Sequence, residues 1–198
     1  MIRHSFHSLL ASLHLEDTPL SYTPAFGPEV RFTVTYNQKE EQPTLTGVAS
    51  AQGFPHLSSR WNFNWLSFVT DNPVADTGAE VYQRGGGTAR FQAFNAGTQS
   101  YPPVKGSDAV LVKLSATSYE MRFSTGERHL FAASNGATAY PRRIFLTKVF
   151  DAFGNAVTLG YGASNRLETL PTLRARSRSY NISCPSPRIQ CPPTIIVW

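Results

Sequence analysis

The stretch Leu146-Thr147-Lys148-Val149-Phe150-Asp151-Ala152-Phe153-Gly154-Asn155-Ala156-Val157-Thr158-Leu159-Gly160-Tyr161-Gly162-Ala163-Ser164-Asn165-Arg166-Leu167-Glu168-Thr169-Leu170 decides the fold. It reads as strand, tight turn, strand, turn and the start of another strand. An aspartate bonds to the backbone two residues on, so Asp151 initiates the first turn. Gly154 supplies the positive φ that closes it. Val157, Leu159 and Tyr161 then alternate onto one face, the period of a strand with one side buried. After the Gly162–Asn165 turn, Arg166-Leu167 begins the next strand.

The same grammar extends upstream. Val30, Phe32, Val34 and Tyr36 alternate with Arg31, Thr33 and Thr35, which predicts a half-buried strand. Residues 38–59 are polar, Gly- and Pro-punctuated, and read as a long loop. From Arg60 to Val69 the alternation resumes, with Trp61, Phe63 and Trp65 on one face and Asn62 and Asn64 on the other. Asp71-Asn72-Pro73 ends it, because proline cannot continue a ladder. Hairpins are predicted at Ala79–Tyr82 with Ala89–Phe94 around Gly85-Gly86-Gly87, and at Ala109–Leu114 with Ser118–Phe123. The segment Ser124–Glu127 turns the chain into Arg128–Ala132, and Asn135-Gly136 is a further turn signal. Arg143–Phe150 and Ala156–Tyr161 are the last strands. No stretch carries a 3.6-residue period, so the reading is all-β: consecutive antiparallel hairpins forming a curved sheet.

Composition agrees. Of 198 residues, 12% are aromatic and only 16% charged, with 14 Gly and 14 Pro, a mixture suited to short strands and turns. No run of about 18 apolar residues occurs, so no helical membrane span is expected. The Met1–Leu10 segment lacks a sustained apolar core of signal-peptide type and reads as mature sequence. Near Phe6–Leu15 a short strand is predicted, broken by Asp17-Thr18-Pro19 and Tyr22-Thr23-Pro24. Most of the net charge of +5 sits in the tail: Arg174, Arg176, Arg178 and Arg188 accompany no acid, and without them 14 basic residues face 13 acidic ones. A basic nucleic-acid surface is therefore not implied. Both cysteines, Cys184 and Cys191, also lie beyond residue 170, which leaves no disulfide framework in the main body. Three regions follow: an N-terminal segment 1–29, a β region 30–170, and a basic, Pro-rich tail 171–198.

The 146–170 stretch resembles one unit of the RHS/YD-repeat family, which repeats a strand, an Asp-x-x-Gly-Asn/Arg turn, a strand ending in Tyr, and an Arg-Leu strand start. Asp151, Gly154, Asn155, Tyr161, Arg166 and Leu167 stand at those positions. Val34-Thr35-Tyr36-Asn37 is similar to the first strand of such shells. Leu57 to Trp65, with Trp61, Asn64 and Trp65, resembles their opening Trp-x-x-Asn segment, although Ser58, Ser59 and Arg60 stand where the family often has glycine. Ser118–Phe123 with Gly126 resembles the hairpin before the first full repeat. The resemblance implies the start of a large shell of coiled hairpins, non-enzymatic itself and without cofactor. In relatives that shell is secreted or at the cell surface and encloses or displays a variable C-terminal domain, often a toxin. It implies the remainder of the shell or a cargo domain as partners, and self-association through any sheet edge left open after Tyr161.

The tail has two readings. One is a flexible linker whose removal leaves stability unchanged. The other comes from the genetic code: each codon read one base earlier permits Thr-Asp-Ala-Ser-Gly-Lys-Val-Thr-Lys-Leu-Gln-Tyr-Leu-Leu, a further Asp-x-x-Gly…Tyr unit, from an out-of-frame gene.

Candidate chemistry is sparse. Arg84-Gly85-Gly86-Gly87-Thr88 lacks the Gly-Lys-Ser/Thr ending of a phosphate loop. His4, His7 and His14 have no carboxylate or thiolate partners at ligand spacing. Glu16-Asp17 and Glu40-Glu41 are adjacent pairs, unlike the separated carboxylates of glycoside chemistry, and no Gly-x-Ser-x-Gly elbow occurs. The alternative to a structural shell segment is a β-module that binds carbohydrate through exposed aromatics, with Trp61 and Trp65 as its platform.

Overall fold

The computed structural model describes residues 2–7, 12–24, 27–38, 61–75, 78–104, 106, 108–162, 165–170 and 172–173. Every regular element among them is a strand, as the alternation requires.

Four strands form a first antiparallel sheet in sequence order: β1 (Arg3–His7), β2 (Ser12–Tyr22), β3 (Val30–Asn37) and β4 (Trp61–Phe63). One expectation is corrected here. Asp17-Thr18-Pro19 does not break the chain. β2 runs through it, and the register against β3 slips between Asp17 and Leu20. A bulge tolerates a proline that a regular ladder does not. β2 pairs with β3 from His14 to Tyr22.

The second sheet holds β5 (Phe68–Asp71), β6 (Ala79–Tyr82), β7 (Thr88–Phe91), β8 (Ser100–Tyr101), β9 (Val110–Ser115), β10 (Ser118–Arg122), β11 (Arg128–Ser134), β12 (Arg142–Phe150), β13 (Ala156–Thr158) and β16 (Thr172–Leu173). Its order is β7-β6-β5-β12-β11-β10-β9-β8, and it curls into a nearly closed barrel. Asn95, just past β7, closes the circuit by exchanging two backbone hydrogen bonds with Ser100 of β8 (2.8 and 3.2 Å). Residues with positive φ, Ala93 and Gln99, flank that bridge.

Strand β12 is the spine. One edge pairs with β11 over most of its length. The other pairs first with β5, from Arg142↔Asp71 to Phe145↔Phe68, and then with β13, from Lys148↔Thr158 to Phe150↔Ala156. Between them the amide of Leu146 donates to Ser67 O (3.0 Å) and that of Leu159 to Thr147 O (2.8 Å), so the ladder is continuous. The predicted Ala156–Tyr161 strand divides at Leu159. Its second half, β14 (Gly160–Tyr161), turns away to pair with β15 (Leu167–Thr169).

The barrel interior is filled, not hollow. Val69, Leu111, Tyr119, Phe131, Ile144 and Leu146 are fully buried, each a gain of roughly 1.5–3 kcal/mol for an aliphatic or aromatic side chain. A smaller cluster of Phe68, Tyr82 and Phe145 lies on the opposite face of β5, β6 and β12. Of the tail, Thr172-Leu173 pairs with Ala156-Val157 of β13. The sheet thus extends past residue 170, and the linker and out-of-frame readings otherwise concern residues outside those described.

Candidate functional site

The Asp151 turn is built as its residue types demand. The amide of Asp151 donates to Asn155 O (2.9 Å) and that of Gly154 to Asp151 O (3.1 Å). Asp151 Oδ1 accepts from the amides of Phe153 (2.9 Å) and Asn155 (2.8 Å), while Oδ2 accepts from Asn155 Nδ2 (2.8 Å). These bonds hold the carboxyl below the usual carboxylate range, against the opposing push of partial desolvation. Gly154 has φ +84°.

The same two backbone bonds recur three more times. Gln83–Gly87 has them at 2.9 and 3.0 Å, Phe123–Glu127 at 3.0 and 3.0 Å, and Gly162–Arg166 at 2.9 and 3.0 Å. The fourth residue always has positive φ: Gly86, Gly126, Gly154 and Asn165. In each the residue in the left-handed region closes the turn with a twist that suits a hairpin. Three of the tips lie side by side. A Cβ added to Gly126 would stand 3.0 Å from Ala152 Cβ, and Arg84 of the 83–87 turn reaches Glu127 (3.7 Å).

This ridge ties the two sheets together. Arg84 lies over the Trp65 ring (4.1 Å) and donates to Asn64 O (3.2 Å). Trp65 Nε1 and Asn64 Nδ2 both donate to Arg31 O of β3 (2.7 and 2.8 Å), and Asn64 Oδ1 accepts from the amide of Thr33 (3.0 Å). The Asn64 amide therefore continues the β3 ladder with a side chain where the backbone turns away. Glu127 in turn accepts from His129 Nε2 (2.7 Å). Burial pushes the His129 imidazole and the Arg84 guanidinium below their ordinary values, and the bond from His129 holds Glu127 low. The His129 ring stands edge-on to Phe123.

At the opposite end of the barrel sits a second polar group. Asp71, only 3% exposed, accepts two bonds from Arg142 (Nε 2.9 Å, Nη2 2.6 Å) and one from the Tyr119 hydroxyl (2.7 Å). Arg142 also donates to Ala116 O in the β9–β10 loop (2.7 Å). Burial, then the carboxylate itself, pushes the Tyr119 hydroxyl up, while the Asp71 bond raises Arg142. Both carboxylate oxygens are occupied, and the arrangement cross-links β5, β10 and β12.

The sequence-derived residues therefore fall into two groups. Asp151, Gly154 and Asn155 make one turn. Tyr161 and Leu167 pair across β14 and β15, with the Tyr161 hydroxyl on Leu146 O (2.7 Å) and raised by burial; Arg166 closes the adjoining turn. Trp61 packs against Tyr36 (5.3 Å between centroids). The alternation assigned to residues 61–65 is corrected: the strand ends at Phe63, Asn64 and Trp65 form a turn, and Trp65 is 1% exposed. Trp61 and Trp65 thus do not make an exposed stacking platform. The Asp71–Arg142–Tyr119 and Arg84–Glu127–His129 groups were not anticipated. The only local signal was an aspartate and an arginine at the ends of apolar strands, too common to single out. Among the described residues no group of three or more His, Cys, Asp or Glu is placed to hold a metal ion, and no helix is long and apolar enough to cross a membrane.

No protein-family model matches the chain, and no curated protein matches it.

Proposed function

We propose that the chain is a non-enzymatic structural segment of a β-shell of the RHS/YD-repeat kind, whose full-length relatives enclose or display a variable C-terminal domain, often a toxin. The observation that carries this reading is the fourfold recurrence of one pair of backbone turn bonds, each closed by a fourth residue with positive φ, three of which stand in a row. A surface built by stacking such hairpins grows by adding the next one to the last, each burying its face and edge against its neighbours. The polar groups between the strands serve the same end, since Asp71, Arg142 and Asn64 bond to neighbouring strands and loops. The test is to insert a second copy of residues 146–170 after Leu173 in the full chain. The inserted hairpin is expected to gain slow-exchanging amides and to raise the melting midpoint. An inserted unit that exchanges as fast as unfolded chain overturns the reading.

A further inference from the structure

On the outward face of the barrel, Thr70, Glu80 and Arg90 form one cross-strand row over β5, β6 and β7. Beside this row lie Gly78 and Gln92, the Gln92 side chain 3.8 Å from where a Cβ on Gly78 would stand. These residues line a hollow of about 180 Å³ together with Tyr140 from the loop before β12. That volume is well below the roughly 300–1,000 Å³ of sites for drug-sized ligands, so it suits a single ring.

The chemistry of the lining narrows the occupant. Glu80 and Arg90 form an ion pair (2.9 Å), so the hollow offers no net charge to an ionic ligand. Thr70, Glu80, Arg90 and Gln92 together present hydroxyl, carboxylate, guanidinium and amide groups that pair with hydroxyls in both directions. Tyr140 is 62% exposed, and an aromatic with one apolar face and one polar tip is suited to a ring that is itself apolar on one side. We propose that this hollow binds one neutral sugar ring, with Tyr140 stacking on its face and the Thr70–Glu80–Arg90 row and Gln92 bonding its hydroxyls. The site is independent of the shell reading and of the buried Trp65.

The probes are the methyl glycosides of glucose, galactose, mannose and N-acetylglucosamine, tested on the full chain by saturation-transfer NMR. At least one is expected to bind with a dissociation constant in the range of about 1 mM. Tyr140→Ala and Gln92→Ala, both at exposed side chains, are expected to weaken it about tenfold or more while melting as the parent does. Phe153→Ala, at a distant exposed turn, is expected to leave it unchanged. Absence of transfer from all four probes at about 10 mM, or transfer that survives both the Tyr140 and Gln92 substitutions, overturns the proposal.

Discussion

Single residues in this protein matter most where a polar group is buried with all its partners in place. Asp71 is such a residue, because its carboxylate satisfies a buried guanidinium and a buried phenol at once. Asp71→Ala leaves the phenol without its acceptor and the guanidinium with its bond to Ala116 O but no counter-charge, and breaking one side of a buried pair costs about 3–5 kcal/mol. Tyr119→Phe removes only one bond to a charged acceptor, about 1.5–3 kcal/mol. Denaturant melts are expected to rank the two in that order; an Asp71→Ala chain as stable as the parent would show that the network contributes nothing. Glycines sort by the same logic. Both Gly154 and Gly126 have positive φ, which costs another residue roughly 1–2 kcal/mol. A methyl at Gly154 meets nothing within 4 Å, whereas at Gly126 it meets Ala152 Cβ at 3.0 Å. Gly126→Ala is therefore expected to destabilise more than Gly154→Ala, and equal losses would argue that the two turns do not touch.

Among the elements, the β10–β11 hairpin holds a buried titratable group in a chain of contacts that reaches Trp65 and β3. His129 faces Glu127, Arg84 and the ring of Phe123, and is 6% exposed. Its folded pKa is lowered, so the unfolded chain binds a proton more readily below the ordinary value near 6.5. Stability is then full above about pH 6.5 and falls as pH drops through the folded value. The lowered pKa of Glu127 acts in the same direction at still lower pH. Melting midpoints measured from pH 8 down to 5 are expected to fall for the parent and to stay flatter for His129→Gln; parallel curves would remove His129 as the cause. The raised hydroxyls of Tyr119 and Tyr161 predict a second loss on the alkaline side, above about pH 10.

The elements also show what the sequence makes legible. Val30–Asn37, the hairpins around Gly85–Gly87 and Gly126, and the Asp151 turn were readable because alternation and turn chemistry are local. Asp151 bonds to Phe153 two residues on, as its side-chain length dictates. The turn at Asn64-Trp65 was not readable, because the alternation of aromatic and amide residues continues through it. Its geometry depends instead on bonds to Arg31 and Thr33, more than thirty residues away. The passage of β2 through Pro19 likewise depends on the bulge opposite β3. Pairing at long sequence separation also brings Asp71 to Arg142, and nothing local announces it.

At the scale of the whole molecule, the barrel limits its free edges by curling until Asn95 meets Ser100. A closed sheet offers no template to a second chain, whereas an open ladder does. The place where closure is most economical is β13. Val157 of that strand is fully buried, and the outer ladder of Ala156-Val157 is covered by just two residues, Thr172-Leu173. One edge of β14 is paired by β15, and the outer edge of β13 by β16. This pairing predicts a loss of stability where removal of everything beyond residue 170 was expected to be neutral. A chain ended at Leu170 exposes the β13 ladder beside a buried apolar side chain, and one ended at Leu173 does not. The shorter chain is expected to melt lower and to scatter light increasingly with concentration, while the chain ended at Leu173 behaves as the full chain does. Lys substituted for Thr158, at the end of the same strand, is expected to suppress that association, since charge on an edge blocks pairing. If the two shortened chains are equally monodisperse and melt together, the β13–β16 pairing has no part in keeping the molecule apart from its copies.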